Sequence, residues 1–233
     1  MDNRDLSLVH LVRRPTRLMP PGQRPPLLIL LHGVGSNERD LFSLAPELDE
    51  RLMIVSARAP NVLAPGSYAW FEVTFGSNGP VINPSQAEAS RQVLIGFIAE
   101  AVAAYGADPA QVYLMGFSQG AIMSAGVALT EPELVSGAVL MSGRILPEIR
   151  PLMAAPERLE GLPILLVHGE SDNVLPVQHG RASRALLESL PVKLEYHEYA
   201  MRHQITPQSL GDVARWLSRR IDEHEGTTTS SPE

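Results

Sequence analysis

Short apolar runs alternate along the chain with longer segments of helical character. Five runs are continuously or nearly continuously apolar, and they predict buried strands at residues 27–31, 52–56, 111–115, 134–141 and 163–168. Strands without polar alternation are typical of parallel sheets that helices cover on both faces. Residues 192–197 alternate between apolar and polar side chains and predict a strand near one sheet edge. Residues 6–12 predict another strand at the opposite edge.

Helical segments fill the intervals between the predicted strands. The candidates are residues 38–50, 85–105, 119–129, 176–190 and 206–224. The last of them carries a single apolar stripe, formed by Leu210, Val213, Leu217 and Ile221. Thr206 followed by Pro207 matches the start of that helix. The alternation of strands and helices predicts an α/β fold with a doubly wound, mostly parallel sheet of about seven strands flanked by helices.

The predicted elements follow one another without a linker, so we expect a single domain over residues 1–224. Residues 225–233 are polar and predict a disordered tail. Residues 62–84 are rich in Gly, Pro and Ser and have neither the strand nor the helix period. A loop of this length inside a compact domain usually has a function, so we expect a wall or a lid over a site.

Composition and charge exclude several classes of protein. The 233 residues contain 19 Lys and Arg against 26 Asp and Glu, a net charge of −7, which disfavours a binder of nucleic-acid phosphates. The sequence has no cysteine, which excludes disulfides, a cysteine nucleophile and thiolate metal sites. The longest aliphatic run, Leu27–Leu31, is far shorter than the about 20 apolar residues of a membrane span. Residues 1–5 show no secretory signal, so we expect a cytoplasmic protein.

A glycine–x–serine–x–glycine pattern at residues 116–120 carries the strongest chemical signal. It follows the predicted strand at 111–115 and opens the predicted helix at 119–129. A sharp strand-to-helix turn strains the serine backbone and lifts its hydroxyl clear of the sheet, and the glycines leave room for the close approach. The pattern predicts Ser118 as a nucleophile, and the alternative is a glycine-containing turn with an incidental serine.

A serine nucleophile needs a general base that a third group orients. Asp172 lies in the polar loop after the predicted strand at 163–168, and His203 lies in the loop after the strand at 192–197. We select Asp172 as the acid and His203 as the base. Glu170, in the same loop as Asp172, remains the alternative acid, and His168 at a strand end is a candidate for packing or loop ordering. A metal site of His168 and Asp172 lacks a third ligand at recognisable spacing.

The predicted strand Leu27–Leu31 ends in a glycine-rich loop at residues 32–37. A dinucleotide-binding loop would need a third glycine at position 38, which is Glu38 here. The loop can instead turn a backbone N–H toward the serine, which assigns the N–H groups of Val34 and Gln119 as oxyanion donors. In the long loop, Trp70 and Phe71 are candidates for the substrate pocket, with loop anchoring as the alternative.

These stretches together resemble the small carboxylesterase, lysophospholipase and acyl-protein-thioesterase-like branch of the α/β-hydrolases. The resemblance covers residues 31–35, 70–71, 116–120, 168–176 and 201–205. It implies an α/β-hydrolase fold, no cofactor, and a set of site residues: Ser118 as nucleophile, Asp172 as orienting acid, His203 as base, and oxyanion donors at Val34 and Gln119. The chain departs from the family pattern at Arg202, where glycine is frequent, and at Val34, where leucine is frequent.

We therefore expect a serine hydrolase that cleaves carboxylic esters of short to medium acyl chain through an acyl-enzyme. The same triad would serve a thioesterase or a lysophospholipase, and a non-catalytic binding protein on a hydrolase scaffold is a further alternative. The expected partner is a small-molecule ester. We expect no nucleic-acid partner, no membrane span and no metal ion. For the oligomeric state, the alternatives are a monomer and a homodimer.

Overall fold

The computed structural model describes residues 5–17, 19–76 and 79–229. Its strands are, in chain order, β1 (His10–Arg13), β2 (Leu27–Leu31), β3 (Met53–Ala57), β4 (Asn61–Ala64), β5 (Ser67–Ala69), β6 (Val73–Gly76), β7 (Gly79–Ile82), β8 (Val112–Phe117), β9 (Gly137–Met141), β10 (Pro163–Gly169) and β11 (Lys193–Tyr199). Its α-helices are α1 (Arg39–Phe42), α2 (Pro84–Tyr105), α3 (Gln119–Thr130), α4 (Pro156–Leu159), α5 (Val177–Glu188) and α6 (Pro207–Thr229).

Seven of these strands form one sheet in the order β1-β3-β2-β8-β9-β10-β11. Strand β1 pairs antiparallel with β3, and the other neighbouring pairs of this sheet are parallel. The two strands that were predicted at the edges, β1 and β11, lie at the two ends of the sheet. The sheet confirms the predicted α/β fold, a doubly wound and mostly parallel sheet flanked by helices.

Apolar layers cover both faces of the sheet. Strand β2 is buried along its whole length, and its side chains alternate between the two layers. Leu27, Ile29 and Leu31 belong to the layer formed with α2 and α3, whereas Leu28 and Leu30 belong to the layer formed with α1 and α6. Because both faces are covered, the central strands need no polar alternation, and they appear in the sequence as continuous apolar runs.

The segment predicted as one helix at residues 38–50 forms two short turns instead. Helix α1 ends at Phe42, and a 3-10 turn follows at Ala45–Glu47. Pro46 lies in that turn, and proline lacks the N–H that a continuing helix requires and disfavours a helical residue before it. The apolar spacing therefore locates the element, and the proline sets where it breaks.

The segment at residues 62–84, predicted as an irregular loop, contains two β-hairpins. Strands β4 and β5 pair antiparallel, and so do β6 and β7. The first hairpin is joined to the loop after β2, because the Gly35 N–H donates to the Tyr68 carbonyl over 2.8 Å and the Tyr68 N–H donates to Ser36 over 2.9 Å. The prediction was wrong because strands of three and four residues are too short to show a clear alternating pattern.

The end of the chain is more helical than predicted. Helix α6 extends to Thr229, whereas the apolar stripe predicts its end at residue 224. Residues 225–229 are thus helical rather than part of the predicted tail, and residues 230–233 lie outside the described residues. No helix in the described ranges is both long and apolar enough to cross a membrane.

Candidate active site

The turn between β8 and α3 holds Ser118 in a strained backbone conformation. Its φ is 55° and its ψ is −116°, a region that residues with a side chain rarely adopt. A Cβ on Gly120 would overlap the Leu31 carbonyl group, and a Cβ on Gly116 would overlap the backbone of Gly120. The close approach of the backbones at this turn therefore requires both glycines of the sequence pattern.

Neighbouring elements hold the Ser118 backbone on both sides. Its N–H donates to the Met141 carbonyl at the end of β9 over 2.9 Å, and its carbonyl accepts from the Ile122 N–H in α3 over 3.1 Å. The loop after β2 runs alongside, since a Cβ on Gly33 would lie 3.3 Å from the Ser118 Cβ. Ser118 thus lies at the carboxyl edge of the parallel strands, where open α/β sheets bind their ligands.

Asp172 and His203 are joined by a hydrogen bond, although they come from different loops. The His203 Nδ1 lies 2.7 Å from the Asp172 Oδ2. Because a carboxylate only accepts hydrogen bonds, Nδ1 carries the hydrogen, and Nε2 of the neutral ring is left as an acceptor. The other Asp172 oxygen accepts from the N–H groups of Val174 and Leu175 over 2.9 and 2.8 Å. The side chain of Asp172 is fully buried, and its position is fixed by these bonds.

The loops that carry Asp172 and His203 pack directly on each other. A Cβ on Gly169, the last residue of β10, would overlap the carbonyl groups of Met201 and Arg202. The alternative acid, Glu170, is exposed at its position two residues before Asp172. Glycine at position 169 therefore permits the contact that brings the Asp172 loop against the His203 loop.

The side chain of His168 contacts the loop that carries Asp172. Its Nε2 donates to the Leu175 carbonyl over 2.7 Å and lies 3.5 Å from the Asp172 Oδ2. Helix α5 packs against the ring, because a Cβ on Gly180 would lie 2.7 Å from the His168 Nδ1. These contacts fit the role in packing or loop ordering that the position of His168 at a strand end predicts.

The His203 ring packs against the strand that leads into Ser118. The ring centroids of Phe117 and His203 are 4.8 Å apart at an interplanar angle of 47°. Phe117 is the residue directly before Ser118, so the histidine lies next to the strained turn. The fold thus brings Ser118, Asp172 and His203 from three loops to one end of the sheet.

Ser118 opens into a cavity of about 150 Å³. The described residues that line it are Val34, Phe71, Val73, Ile82, Ser118, Gln119, Ile122, Arg144, Val174 and Leu175. A larger groove of about 560 Å³ also has Ile122 in its wall, but Ser118 is not among the described residues that line it. Chemistry rather than volume therefore identifies the smaller cavity as the candidate site.

The two residues selected as oxyanion donors both line this cavity. Val34 follows β2 and is 46% exposed, and Gln119 is the first residue of α3. The first N–H groups of a helix have no partner within the helix, so the Gln119 N–H is available at this end of α3. Both residues therefore lie where an N–H could meet a group bound at Ser118.

The Gln119 side chain fixes the segment that carries Trp70 and Phe71, a role that the sequence pattern did not indicate. Its Oε1 accepts from the Trp70 N–H over 3.0 Å, and its Nε2 donates to the Phe71 carbonyl over 2.7 Å. Phe71 lines the cavity. Trp70 is not among the described lining residues, because its side chain is fully buried and donates through Nε1 to the His32 carbonyl over 3.0 Å. Trp70 therefore anchors the loop and does not form the pocket wall.

His32 is a buried neutral residue that organises the glycine-rich loop. Burial lowers the pKa of His32, an effect that the Gly33 carbonyl partly opposes. Its Nδ1 bonds the Gly33 carbonyl over 2.7 Å, and its Nε2 accepts from the Ala59 N–H over 3.0 Å. Since a neutral imidazole donates from one nitrogen and accepts at the other, these two bonds fix its tautomer.

Several lining residues had no signal in the sequence patterns. Val73 and Ile82 belong to the unforeseen second hairpin, and Val174 and Leu175 follow Asp172. Arg144 follows β9, at the carboxyl edge of the sheet where ligand sites lie. That position relative to the strand end is the signal that could have identified Arg144.

The fold and the serine, acid and histidine at one sheet end are those of the α/β-hydrolase class. Residues 19–221 match the phospholipase/carboxylesterase family, and the chain belongs to this family.

Similar proteins carry ester and thioester hydrolase names. Carboxylesterase SOBER1 of Arabidopsis thaliana is 27% identical over 157 residues, which are 66% of this chain and 68% of that protein. Acyl-protein thioesterase 1 of Kluyveromyces lactis is 24% identical over 210 residues, 84% of this chain and 92% of that protein. The crystal structure of esterase PE8 is 28% identical with a TM-score of 0.74, over 91% of this chain and 98% of that one.

Proposed function

We propose that this protein is a serine hydrolase that cleaves carboxylic esters of short to medium acyl chain through an acyl-enzyme. The observation that carries the proposal is the 2.7 Å hydrogen bond between His203 Nδ1 and Asp172 Oδ2. It lies beside a serine whose positive φ of 55° is typical of a nucleophile turn. Family membership supports the hydrolase class, and the carboxylesterase names of similar proteins support the ester as substrate.

In the proposed reaction, His203 Nε2 accepts the Ser118 proton as the serine oxygen attacks the ester carbonyl. Asp172 keeps the imidazole oriented and stabilises its charged form. The N–H groups of Val34 and Gln119 donate to the oxyanion, and one such donor typically contributes about 10²–10³ in turnover. His203 then protonates the leaving alcohol and activates the water that releases the acid and restores Ser118.

Cavity size supports short acyl chains. The cavity at Ser118 has a volume of about 150 Å³, which is below the about 300–1,000 Å³ of common ligand sites. A chain longer than the cavity would have to pass Ile122 to reach the neighbouring groove of about 560 Å³. We therefore infer that acetate and butyrate esters are better substrates than octanoate or palmitate esters.

Thioester hydrolysis is the second candidate, and the alignment with acyl-protein thioesterase 1 over 92% of that protein favours it. A thioester would acylate the same serine through the same groups. Rates on butyrylcholine and on butyrylthiocholine, which differ only in the oxygen or sulfur of the scissile bond, distinguish the two when they are measured side by side. A higher kcat/KM on the thioester would assign the thioesterase function.

The proposal is tested by hydrolysis of p-nitrophenyl acetate, butyrate, octanoate and palmitate. We expect wild-type turnover that is highest on the two short esters and falls at least about 10³-fold in Ser118→Ala. Ser189→Ala is the matched control, because Ser189 is an exposed serine at the end of α5. Turnover that survives in Ser118→Ala would refute Ser118 as the nucleophile.

A further inference from the structure

Arg144, a positively charged residue, lines the cavity that contains Ser118. Seven of the ten described lining residues are apolar, and Arg144 is the one charged side chain among them. A charge in an apolar environment is costly in free energy unless a partner of opposite charge compensates it. The cavity therefore favours a ligand that brings a negative group to Arg144.

Within the described part of the chain, no side chain neutralises Arg144. Its guanidinium makes no ion pair or hydrogen bond there, and its Nε is buried without an acceptor. Arg58, in contrast, bonds the Glu38 carboxylate through two nitrogens at 2.6 and 2.7 Å. The donors of Arg144 thus remain available for a group in the cavity.

The backbone around Arg144 is fixed next to the nucleophile turn. Ser142 has a φ of 48°, and its N–H donates to the Val167 carbonyl over 2.8 Å. A Cβ on Gly143 would lie 2.5 Å from the Ala121 Cβ and 3.1 Å from the Ser118 carbonyl oxygen. The Ile145 N–H donates to the Ser183 Oγ over 3.0 Å. These contacts therefore fix the backbone position of Arg144.

The titratable groups near Arg144 leave its charge uncompensated. Burial and the positive charge of Arg144 lower the pKa of His179, so this histidine is neutral at pH 7. Asp172 is a buried carboxylate at this end of the sheet, but His203 and two backbone N–H groups already occupy its oxygens.

We propose that Arg144 is a specificity-determining residue that binds a carboxylate on the acyl chain, so that the substrates include monoesters of short dicarboxylic acids. A guanidinium donates two parallel hydrogen bonds to a carboxylate, and such a pair is stronger where water is excluded. The small cavity keeps that carboxylate a few carbons from the ester carbonyl. This inference rests on the proposed function, because Ser118 has to be the attacking group.

The test compares kcat/KM on monomethyl glutarate and on methyl 5-methylhexanoate, its uncharged counterpart of the same branched shape. Monomethyl succinate and adipate vary the chain length. We expect wild type to favour the charged ester about 10- to 100-fold, the effect of a charge-assisted hydrogen bond. Arg144→Met should bring this ratio to one or below, Arg144→Lys should retain part of it, and the exposed Arg150→Met should retain it in full.

Each outcome is decisive for Arg144. A wild-type ratio near one on all three monoesters, or an equal ratio in Arg144→Met, overturns the proposal while ester hydrolysis itself stands. The wild-type ratio and Arg144→Lys keep the test informative if Arg144→Met fails to fold. If no ester is turned over and a fluorophosphonate does not label Ser118 covalently, the proposed function is overturned as well. O-acetylglycolate carries its carboxylate on the alcohol side of the ester, and isobutyl acetate is its uncharged counterpart. A preference for O-acetylglycolate without a preference for the monoesters would overturn the assignment of Arg144 to the acyl chain.

Discussion

The carboxylate of Asp172 and the imidazole of His203 meet across two loops with 2.7 Å between Oδ2 and Nδ1. The residues are far apart in the sequence, and neither lies in a regular element. The contact forms because β10 and β11 are parallel neighbours, so that the loops after them leave the sheet at the same edge. An acid and a base that the sequence places after successive strands are thereby brought into one hydrogen bond.

Replacing Asp172 by asparagine should lower kcat by about 10⁴, because an amide no longer holds the histidine in the required tautomer. The amide oxygen can still accept from Val174 and Leu175, so we expect the fold to persist. Steady-state kinetics with circular dichroism checks both points. Glu170→Gln is the matched control, and a large loss there with little loss in Asp172→Asn would assign the acid to Glu170.

Alanine at Gly120 should prevent folding or greatly lower the free energy of unfolding, because its Cβ would overlap the Leu31 carbonyl. Gly96 offers the opposite case, an exposed helical glycine in α2 with nothing within 4 Å of an added Cβ. Gly96→Ala should raise the free energy of unfolding by about 0.5–1 kcal/mol. Urea unfolding of both variants measures the contrast, and a folded Gly120→Ala of wild-type stability would contradict the geometry of the turn.

Acid should destabilise the fold through His32. Because burial lowers the pKa of His32, the folded protein keeps the ring neutral, whereas the unfolded chain binds a proton near the ordinary histidine pKa of about 6.5. The neutral ring therefore contributes fully to the free energy of unfolding above a pH of about 6.5, the ordinary histidine value. This contribution is lost as the pH falls toward the lowered pKa of the folded state.

Urea unfolding of wild type and His32→Gln at pH 8, 7, 6 and 5 measures this effect. The stability of wild type should fall more steeply below pH 6.5 than that of the variant. An NMR titration of the wild-type ring gives the same information without a variant. A His32 that titrates at or above 6.5 in the folded protein would disprove the expected slope.

Ile122 lines both the cavity at Ser118 and the larger neighbouring groove. Ile122→Ala should join the two volumes and move the preferred acyl chain from butyrate toward octanoate. Leu152→Ala removes a comparable side chain that lines the groove alone, so its chain-length profile should match wild type. Ratios of kcat/KM on the two esters provide the readout, and identical profiles for all three proteins would show that acyl chains do not run along this path.

The sheet could be predicted because its strands are buried on both faces and stand out as apolar runs. Strand β2 was predicted with the bounds that the structure has. The turn around Ser118 could also be predicted from its sequence. A backbone contact that excludes any Cβ leaves glycine as the only residue that fits, so the turn carries a glycine pattern.

The cavity wall could not be predicted in the same way. Val73 and Ile82 lie in a short hairpin outside the main sheet, and no long apolar period marks them. The Gln119 side chain bonds Trp70 and Phe71 across nearly fifty residues of sequence, a contact that depends on the folded chain. The position of Arg144 after a strand end did not identify it by itself, because one polar residue after a strand resembles any loop residue until its surroundings are known.

Covalent labelling of Ser118 tests the central claim most directly. The protein is incubated with a fluorophosphonate that carries a mass tag, and the labelled peptide is sequenced by mass spectrometry. We predict one adduct per chain, on Ser118, which is absent from Ser118→Ala and much slower to form in His203→Ala. An adduct on another residue, or an equal rate in His203→Ala, would contradict a serine nucleophile activated by His203.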